Sequence, residues 1–588
     1  MTGGRYSGSI APAPSERDLT YTPPVADQKF VLRHIVEVSE LSGHNAFAEA
    51  TPDVVDAIVE GAGAFAAGEF APLNRIGDTI GAKWSPEGVT LPPGFREAYQ
   101  AYVEGGWGTL SGPVEHGGQG LPLTLATVVM EDLGAANMGF SLAMMLTPGA
   151  VEALRHHGSE ELKAQWLPKL ITGEWTGTMN LTEPQAGSDV GALKTKAVPN
   201  GDGSWSVSGT KIFITFGDHD LADNIVHLVL ARTPDAPPGT RGISLFLVPK
   251  ILPDGSRNDL RCVSIEHKLG IHASPTCIMS FGDEGRCTGW LIGAEQAGMR
   301  AMFTMMNNAR LNVGLQGVSV AERATQAAVA YASQRVQGAR AGKAAPIVEH
   351  PDVRRMLLRM KALTQAARAL CYYAAGQTDR GTLGDRAAQA RADLLTPLVK
   401  AYGTDVGCEV ASLGVQVHGG MGFVEETGAA QHYRDIRIAP IYEGTNGIQA
   451  ADLVGRKLGL EGGAVLARLM ADMRVEAGAP LAGLLDAVEE VAGRFADPAY
   501  DADAKLGGSY PFLTMVSVAV SAWLMHRQRV EADRMQAAGE GDPLFLGMKI
   551  AAARYYLECV VPEATGLKAA ALDGALAAYS VPVEAFAA

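Results

Sequence analysis

Apolar residues recur at every third or fourth position through much of the first 170 residues, which is the periodicity of an amphipathic helix. Loops rich in glycine and proline separate the helical stretches. Residues 150–170 show this spacing at Val151, Leu154 and Leu162. The pattern predicts a helical N-terminal domain over residues 30–174.

Between about residues 175 and 290 the pattern changes to short runs rich in β-branched and aromatic residues. Clusters of Gly, Pro, Asn and Asp separate these runs. The predicted strands cover residues 205–216, 224–231, 243–248, 260–265 and 277–281. Many short strands with such separators are typical of a small barrel or sandwich, so we expect a middle β domain over residues 175–295.

Helical periodicity returns after the β region. Residues 299–326 and 353–373 contain no proline and repeat their apolar residues at three to four positions. This pattern predicts long helices that pack together over residues 296–462.

Residues 465–588 follow a Gly462-Gly463 pair, which marks a possible domain boundary. They are rich in Ala and Leu, have helical periodicity, and are interrupted near Asp497 and at 539–543. The apolar run 512–525 is too short to span a bilayer, so we expect a buried core helix there. The predicted order is therefore helical, β, helical, helical.

Composition narrows the range of partners and compartments. The chain has 588 residues, 47% of them hydrophobic, and a net charge of −15 without a long Lys/Arg run. This charge argues against nucleic acid and against a polybasic membrane anchor. The six cysteines form no C-x-x-C pair, so we expect neither a metal site nor a disulfide framework. Residues 1–15 lack the features of a signal peptide, and a cytoplasmic location is expected.

The segment 441–449 carries the most informative candidate for chemistry. Glu443 stands directly before Gly444 and Thr445, after a largely apolar approach. A glycine lets another molecule come close to the main chain. A carboxylate in apolar surroundings has a raised pKa and can act as a base near neutral pH. Alone, the segment is better explained as an ordinary loop. The segments upstream of it change that balance.

Two segments of the β region could hold a flat polar ligand. In residues 179–189, the Thr182 hydroxyl and the amides around Gly187 and Ser188 could bind a polar ring or a phosphate. In a strand, Phe213 and Thr215 would point to the same side and could pack against a flavin. In isolation, an ordinary loop and a core Phe with a surface Thr are the favoured explanations of these two segments.

The glycine-rich turn 416–423 could admit a dinucleotide closely. It is not the G-x-G-x-x-G fingerprint and follows no predicted strand, so we expect no Rossmann domain. Arg310 and Arg335 lie within largely apolar helices, where a guanidinium could bind a phosphate or form a salt bridge.

Taken together and in this order, these segments resemble the acyl-CoA dehydrogenase family. The resemblance rests on residues 181–189 and on the stretch from Gln416 to Thr445, and it covers about residues 30–460. It implies an α+β multidomain fold: an N-terminal helical domain, a middle β-barrel and a C-terminal four-helix bundle. FAD would lie between barrel and bundle, and residues 465–588 would add a C-terminal helical domain.

The resemblance also implies roles for individual residues. Glu443 matches the catalytic base, which removes a proton from Cα of an acyl-CoA while Cβ delivers hydride to the flavin. The positions that match FAD contacts are Met179, Leu181, Thr182, Gly187, Ser188, Phe213, Ile214, Thr215 and Thr445. The positions that match contacts to the FAD of a neighbouring subunit, and so imply a homodimer, are Arg335, Gln416, Gly419 and Gly420. The positions that match acyl-CoA contacts are Ser188, Asn307, Arg310 and Gly444.

Within the family, residues 268–276, 302–310, 350–356 and the helical tail are similar to a longer subgroup, the bacterial 3-(methylthio)propanoyl-CoA dehydrogenases of dimethylsulfoniopropionate breakdown. The implied reaction converts 3-(methylthio)propanoyl-CoA to 3-(methylthio)acryloyl-CoA and passes electrons to an electron-transfer flavoprotein. Fatty acyl-CoA dehydrogenases with the same tail share much of this set, so a medium- or long-chain acyl-CoA is the alternative substrate. An acyl-CoA oxidase and a DNA-associated flavoprotein are less favoured alternatives.

Overall fold

The computed structural model describes residues 21–588, so residues 1–15 lie outside the described part. Most of the described chain is helical. The α-helices are α1 (Val25–Val31), α2 (Val38–Leu41), α3 (Pro52–Phe65), α4 (Asn74–Ile80), α5 (Phe95–Glu104), α6 (Leu123–Ala136), α7 (Met138–His157), α8 (Glu160–Thr172), α9 (Gly298–Gln334), α10 (Pro351–Thr382), α11 (Arg386–His418), α12 (Gly420–Phe423), α13 (Ala429–Ile436), α14 (Asn446–Asp452), α15 (Ala464–Ala477), α16 (Ala479–Ala496), α17 (Ala502–Gly507), α18 (Ser509–Ala538), α19 (Pro543–Tyr555), α20 (Val561–Thr565) and α21 (Lys568–Ala578).

The strands are concentrated in the middle of the chain. They are β1 (Lys83–Ser85), β2 (Gly88–Thr90), β3 (Trp175–Asn180), β4 (Lys196–Pro199), β5 (Trp205–Thr215), β6 (Asn224–Arg232), β7 (Ile243–Pro249), β8 (Leu260–Ile265), β9 (Thr276–Phe281), β10 (Thr288–Ile292), β11 (Val336–Arg340) and β12 (Lys343–Pro346). The order of elements confirms the predicted α+β multidomain fold class.

The N-terminal domain is built around the buried helices α6 and α7. Asn137 caps α7 by accepting a hydrogen bond from the Phe140 N–H at 3.1 Å. The helical spacing at 150–170 covers two helices, because the chain breaks at Gly158 and Ser159 caps the next one, α8. Helix α7 packs on both α9 and β3, so it links the bundle to the β domain.

The middle domain is a sheet that closes on itself. Strand β10 pairs with both β7 and β5, and β3 lies parallel to β6. Strands β6 and β7 are buried along almost their whole length, which explains their continuous apolar runs. Opposite β9, the register of β5 shifts between Lys211 and Ile214, which marks a bulge.

The bundle is formed by α9, α10 and α11, with α14 as a short fourth member that continues through a π-helical turn, Leu453–Lys457. Glycines let α9 and α11 come very close. A Cβ added to Gly317 would lie 1.8 Å from the Gly403 carbonyl oxygen. Hairpin β11–β12 interrupts the helices between α9 and α10, and the sequence pattern did not predict it.

The C-terminal helices α15–α21 form an extension that packs against the bundle through α18. The predicted core helix at 512–525 is the buried part of α18. A buried charge cluster joins the extension to the rest of the chain. Lys549 of α19 donates to Asp27 at 2.5 Å, and Arg368 of α10 contacts Asp27 and donates to Glu131 at 2.9 Å. No helix within residues 21–588 is long and apolar enough to cross a membrane.

Candidate active site

Glu443 lies in the loop between α13 and α14, in a left-handed backbone conformation with φ of +55°. Long side chains rarely adopt this conformation, and such strain concentrates at functional sites. The Gln449 side-chain amide donates to the carbonyls of Glu443 at 3.2 Å and Gly444 at 3.3 Å. Thr445 caps α14 by accepting from the Ile448 N–H. These contacts fix the direction in which the Glu443 side chain leaves the loop.

The Glu443 carboxyl is enclosed by packed atoms, although the residue as a whole keeps some accessible surface. Burial raises its pKa to about 7, and the nearby cations Arg310 and Lys400 act in the opposite direction. A carboxylate with such a pKa is largely ionised just above neutral pH and can still accept a proton effectively. The arrangement is therefore suited to general-base chemistry.

Arg310, on α9, is buried beside this loop. Burial lowers the pKa of its guanidinium, and Asp452 lies 3.8 Å from one terminal nitrogen. Its Nε has no hydrogen-bond partner among residues 21–588. A buried, unpartnered N–H is costly unless a ligand supplies an acceptor, so Arg310 fits a contact to an oxygen of a bound molecule.

Sequence reasoning missed the polar residues behind the Glu443 loop. Lys400, fully buried on α11, donates to the Asn446 side-chain oxygen at 2.8 Å. Asn446 donates in turn to Asp405 at 2.9 Å and Thr404 at 3.0 Å. Burial lowers the pKa of Lys400 to about 7, against the opposing effect of Glu443. The available signal was a lysine in the middle of an apolar helical run, residues 394–402.

The candidate FAD residues of the first β segment lie where β3 ends. Met179 is buried in the strand, Leu181 and Thr182 are half-buried, and Gly187 and Ser188 are exposed. A buried ion pair anchors the loop between them.

Glu183 forms the acidic half of this pair and was not among the predicted site residues. Its carboxylate lies 2.8 Å from Lys211 Nζ and accepts from the N–H groups of Lys194 at 2.7 Å and Thr195 at 3.0 Å. Burial alone would raise its pKa, but Lys211 and these donors lower it to about 2. Lys211 also donates to the Leu181 carbonyl at 3.0 Å, so the ion pair fixes this loop against β5.

Phe213, Ile214 and Thr215 follow Lys211 on β5. Phe213 is 58% exposed, Ile214 is buried and Thr215 is half-buried. Phe213 has a φ of +59° at the bulge, and a bulge re-aims the side chain that it carries. An exposed aromatic ring beside a hydroxyl fits one face of a flavin ring system.

The remaining candidate cofactor residues lie together at the far end of the bundle. Arg335 follows the end of α9, and Gln416, Gly419 and Gly420 stand exposed at the end of α11. The ring of His418 stacks on Tyr331 at 4.5 Å, which joins the two helix ends. At 1.5 Å per residue, Gln416 is about 24 Å along α11 from Lys400. One chain therefore does not bring this group to its own Glu443.

These positions leave room for a cofactor. A Cβ added to Gly187, Gly419 or Gly420 would meet nothing within 4 Å. Open glycine backbone, exposed hydroxyls at Ser188 and Thr445, and the exposed Phe213 ring suit a dinucleotide with an aromatic headgroup. The residues present fit FAD.

The four residues predicted to contact acyl-CoA do not all lie together. Arg310 and Gly444 adjoin Glu443, and Ser188 lies on the barrel loop. Asn307, one turn before Arg310, lines a cavity of about 890 Å³ between the N-terminal helices and the bundle, together with Met144. Glu443 is not among the lining residues of that cavity.

A short loop of the barrel positions the Glu443 loop against the β domain. The Ile271 N–H donates to Asp435 at 2.5 Å. A Cβ added to Gly270 would lie 2.5 Å from the carbonyl carbon of Arg434, so only glycine fits there. Arg434 itself pairs with Asp78 of the N-terminal domain at 2.5 Å. All three domains therefore meet at α13, just before Glu443.

Family models match consecutive stretches of the chain. They describe the N-terminal domain (residues 54–174), middle domain (178–283) and C-terminal domain (296–459) of acyl-CoA dehydrogenases. A further model, described as acetyl-CoA dehydrogenase C-terminal like, matches residues 464–582.

Two curated relatives match over nearly their whole length. A 3-methylmercaptopropionyl-CoA dehydrogenase of Ruegeria pomeroyi is 46% identical, with 93% of this chain and 97% of the relative covered. A broad-specificity linear acyl-CoA dehydrogenase of Mycobacterium tuberculosis is 34% identical, with 93% and 97% covered. The solved structure of an acyl-CoA dehydrogenase complexed with FAD from Bacillus anthracis has a TM-score of 0.73 at 24% identity, covering 91% of this chain and 90% of that one.

Proposed function

Because this chain belongs to the acyl-CoA dehydrogenase family, we propose that Glu443 is the general base of an FAD-dependent α,β-dehydrogenation whose substrate is 3-(methylthio)propanoyl-CoA. The family membership makes the protein an oxidoreductase that uses FAD and acts on acyl-CoA thioesters. The observation that carries the role of Glu443 is its enclosed carboxyl, with a pKa raised to about 7, on a strained loop.

The proposed steps for the protein's own groups start from an ionised Glu443. Its carboxylate accepts the proton that leaves Cα of the thioester. The Glu443 main-chain N–H makes no hydrogen bond within the described residues, so it is free to donate to the thioester oxygen. Such a fixed donor stabilises enolate-like charge, and losing one typically costs roughly 10²–10³ in rate. Bound FAD supplies the acceptor for the hydride that leaves Cβ.

The residues proposed to hold the FAD come from two places. Those of the same chain are Met179, Leu181, Thr182, Gly187, Ser188, Phe213, Ile214, Thr215 and Thr445. Arg335, Gln416, Gly419 and Gly420 would contact the FAD of a second copy. The separation of about 24 Å along α11 between Gln416 and Lys400, which lies behind the Glu443 loop, supports this division, because it puts the second group far from the Glu443 of its own chain. We therefore propose a homodimer, and its mass by light scattering tests this.

The substrate is inferred from the relative that is 46% identical over 93% of this chain, a match that includes the extension. The competing substrate is a linear fatty acyl-CoA, because a relative that is 34% identical has broad specificity for linear chains. Both substrates would use the same base and cofactor, so they differ only in the acyl group that the site accepts.

The deciding experiment is anaerobic mixing of the holoenzyme with butanoyl-, octanoyl-, palmitoyl- and 3-(methylthio)propanoyl-CoA. The bleaching of the flavin absorption band is followed in time. We expect the thioether substrate to bleach the band with the highest second-order rate constant. Faster bleaching by octanoyl- or palmitoyl-CoA would assign the enzyme to fatty acid oxidation instead.

We further propose that an electron-transfer flavoprotein re-oxidises the enzyme in the cytoplasm. The competing acceptor is oxygen, which would make the protein an oxidase. Steady-state turnover with an electron-transfer flavoprotein and without peroxide is the expected result. Stoichiometric peroxide formation in air would instead assign the oxidase reaction.

A further inference from the structure

The first turn of helix α18 brings a side chain of the extension to the catalytic half of the bundle. Tyr510 donates a hydrogen bond from its hydroxyl to Asp405 Oδ2 at 2.6 Å. Asp405 lies on α11, one and a half turns after Lys400. Tyr510 and Asp405 are 105 positions apart in the sequence, so only the packing of the extension on the bundle creates this contact.

The contact continues towards Glu443. The other Asp405 carboxylate oxygen, Oδ1, accepts from the Asn446 side-chain amide at 2.9 Å. The Asn446 side-chain oxygen accepts from Lys400 at 2.8 Å. Asn446 is the first residue of α14 and stands three positions after Glu443, so whatever orients Asn446 also orients the end of the Glu443 loop.

The same residues set the charge around Glu443. The Asp405 carboxylate favours the charged form of Lys400, and the Lys400 ammonium favours the charged form of Glu443. Arg310 faces Glu443 from α9, Asp452 pairs with Arg310, and Arg437 acts on Asp405. Tyr510 is the hydrogen-bond donor from outside the catalytic domain that favours the ionised form of Asp405.

We propose that Tyr510 is a positioning residue for the dehydrogenation: through Asp405, Asn446 and Lys400 it holds the Glu443 loop in place and keeps a cation beside the base. The extension then contributes to catalysis and not only to stability. This inference rests on the proposed role of Glu443.

The test compares Tyr510→Phe with Tyr500→Phe. Both changes remove one hydroxyl from the extension, but Tyr500 donates to the Leu572 carbonyl at 2.7 Å, within the extension. Two readouts are measured on each FAD-loaded protein: the pH profile of anaerobic flavin bleaching, and hydrogen–deuterium exchange of the peptide that covers residues 441–452. The exchange readout is repeated on FAD-free protein, so it does not depend on turnover.

For Tyr510→Phe we expect the acid limb of the bleaching rate to move to higher pH by about 0.5–1 unit. This is less than the roughly 1–2 units expected for the group that itself loses a hydrogen bond, because the effect reaches Glu443 through Lys400. The direction follows from the order of the contacts. Without the Tyr510 hydroxyl, less of Asp405 is ionised, so the charged form of Lys400 is stabilised less. A neutral Lys400 in turn stabilises the Glu443 carboxylate less, and the pKa of Glu443 rises. Exchange in residues 441–452 should become faster. Tyr500→Phe should leave both the profile and the exchange of this peptide unchanged.

A wild-type profile and wild-type exchange in Tyr510→Phe would overturn the inference, and so would equal changes in both variants. If Tyr510→Phe folds poorly, Asp405→Asn tests the same connection from the bundle side and should shift the acid limb in the same direction. In the double variant the two shifts should not add, because they interrupt one pathway. Wild-type protein that no acyl-CoA bleaches would contradict the proposed function, whereas normal bleaching with unshifted variants contradicts this inference alone.

Discussion

The Glu443 carboxyl must be ionised before it can accept a proton. Burial raises its pKa to about 7, so ionised and protonated forms coexist at neutral pH. Replacement by Gln keeps the shape of the side chain and removes the base. We expect Glu443→Gln to retain FAD and to slow flavin reduction by about 10²–10⁴, the range for general-base catalysis. The measurement is stopped-flow bleaching, with Glu426→Gln as the control because Glu426 is an exposed glutamate in the turn before α13. A variant that bleaches near the wild-type rate would rule out Glu443 as the base.

The cations near Glu443 lead to a second prediction at this scale. Burial raises the Glu443 pKa to about 7, so flavin reduction should fall as the pH falls through 7. Lys400 lowers this pKa. Lys400→Met should therefore move the acid limb to higher pH and leave the plateau at alkaline pH less affected. The pH profile of the bleaching rate checks this, and an unchanged or downward-shifted limb would exclude Lys400 as a neighbour that acts on the base.

Site residues differ in how well local sequence features predict them. Glu443 stands out because glycine and threonine follow it. Lys400 and Asn446 are 46 positions apart, and a lysine or an asparagine in a helix gives no local sign of its buried partner. Glu183 and Lys211 are 28 positions apart and were missed for the same reason. The roles assigned to the candidate FAD and acyl-CoA residues remain predictions.

At the scale of elements, the loop that follows β3 depends on the buried Glu183–Lys211 pair. Lys211→Met leaves the Glu183 carboxylate buried without its cation, which typically costs about 3–5 kcal/mol. We expect a lower thermal midpoint and faster loss of FAD. The matched control is Arg261→Met, because the Arg261–Asp283 pair lies on the surface of the same barrel and such pairs contribute at most about 1 kcal/mol. Equal effects from the two changes would contradict the structural role of the buried pair.

The same pair sets the acid sensitivity of the barrel. The pKa of Glu183 is lowered from 4.5 to about 2 in the folded protein. Its contribution to stability is therefore complete above pH 4.5 and is lost as the pH falls towards 2.

Sequence patterns identified most elements of the barrel, because alternation and turn residues are local signals. The predicted strand at 260–265 coincides with β8, and the others differ from β5, β6, β7 and β9 by one residue at one end. The bulge at Phe213 and the hairpin β11–β12 were not predicted. Both depend on pairing register, which alternation within one strand does not specify. The domain boundaries remain predictions as well.

At the scale of the whole molecule, the extension shares a buried charge cluster with the N-terminal segment and the bundle. Lys549 is fully buried and pairs with Asp27, and Arg368 pairs with Asp27, Glu131 and Glu322. Burial alone would raise the pKa of Asp27, but Lys549 and Arg368 lower it to about 2. The cluster joins residues from five helices that are distant in the sequence, one of them in the extension, so it is complete only when the extension is in place.

This cluster predicts that the extension and the catalytic domains unfold together. Lys549→Met removes a cation from a site that holds three carboxylates, and breaking such a buried pair typically costs about 3–5 kcal/mol. Calorimetry should show a single transition at lower temperature. The control Lys568→Met changes a surface pair with Glu490 and should leave the midpoint nearly unchanged. Two separate transitions, with only one of them lowered, would mean that the extension folds independently and that its contact with the catalytic loop can be lost without unfolding the site.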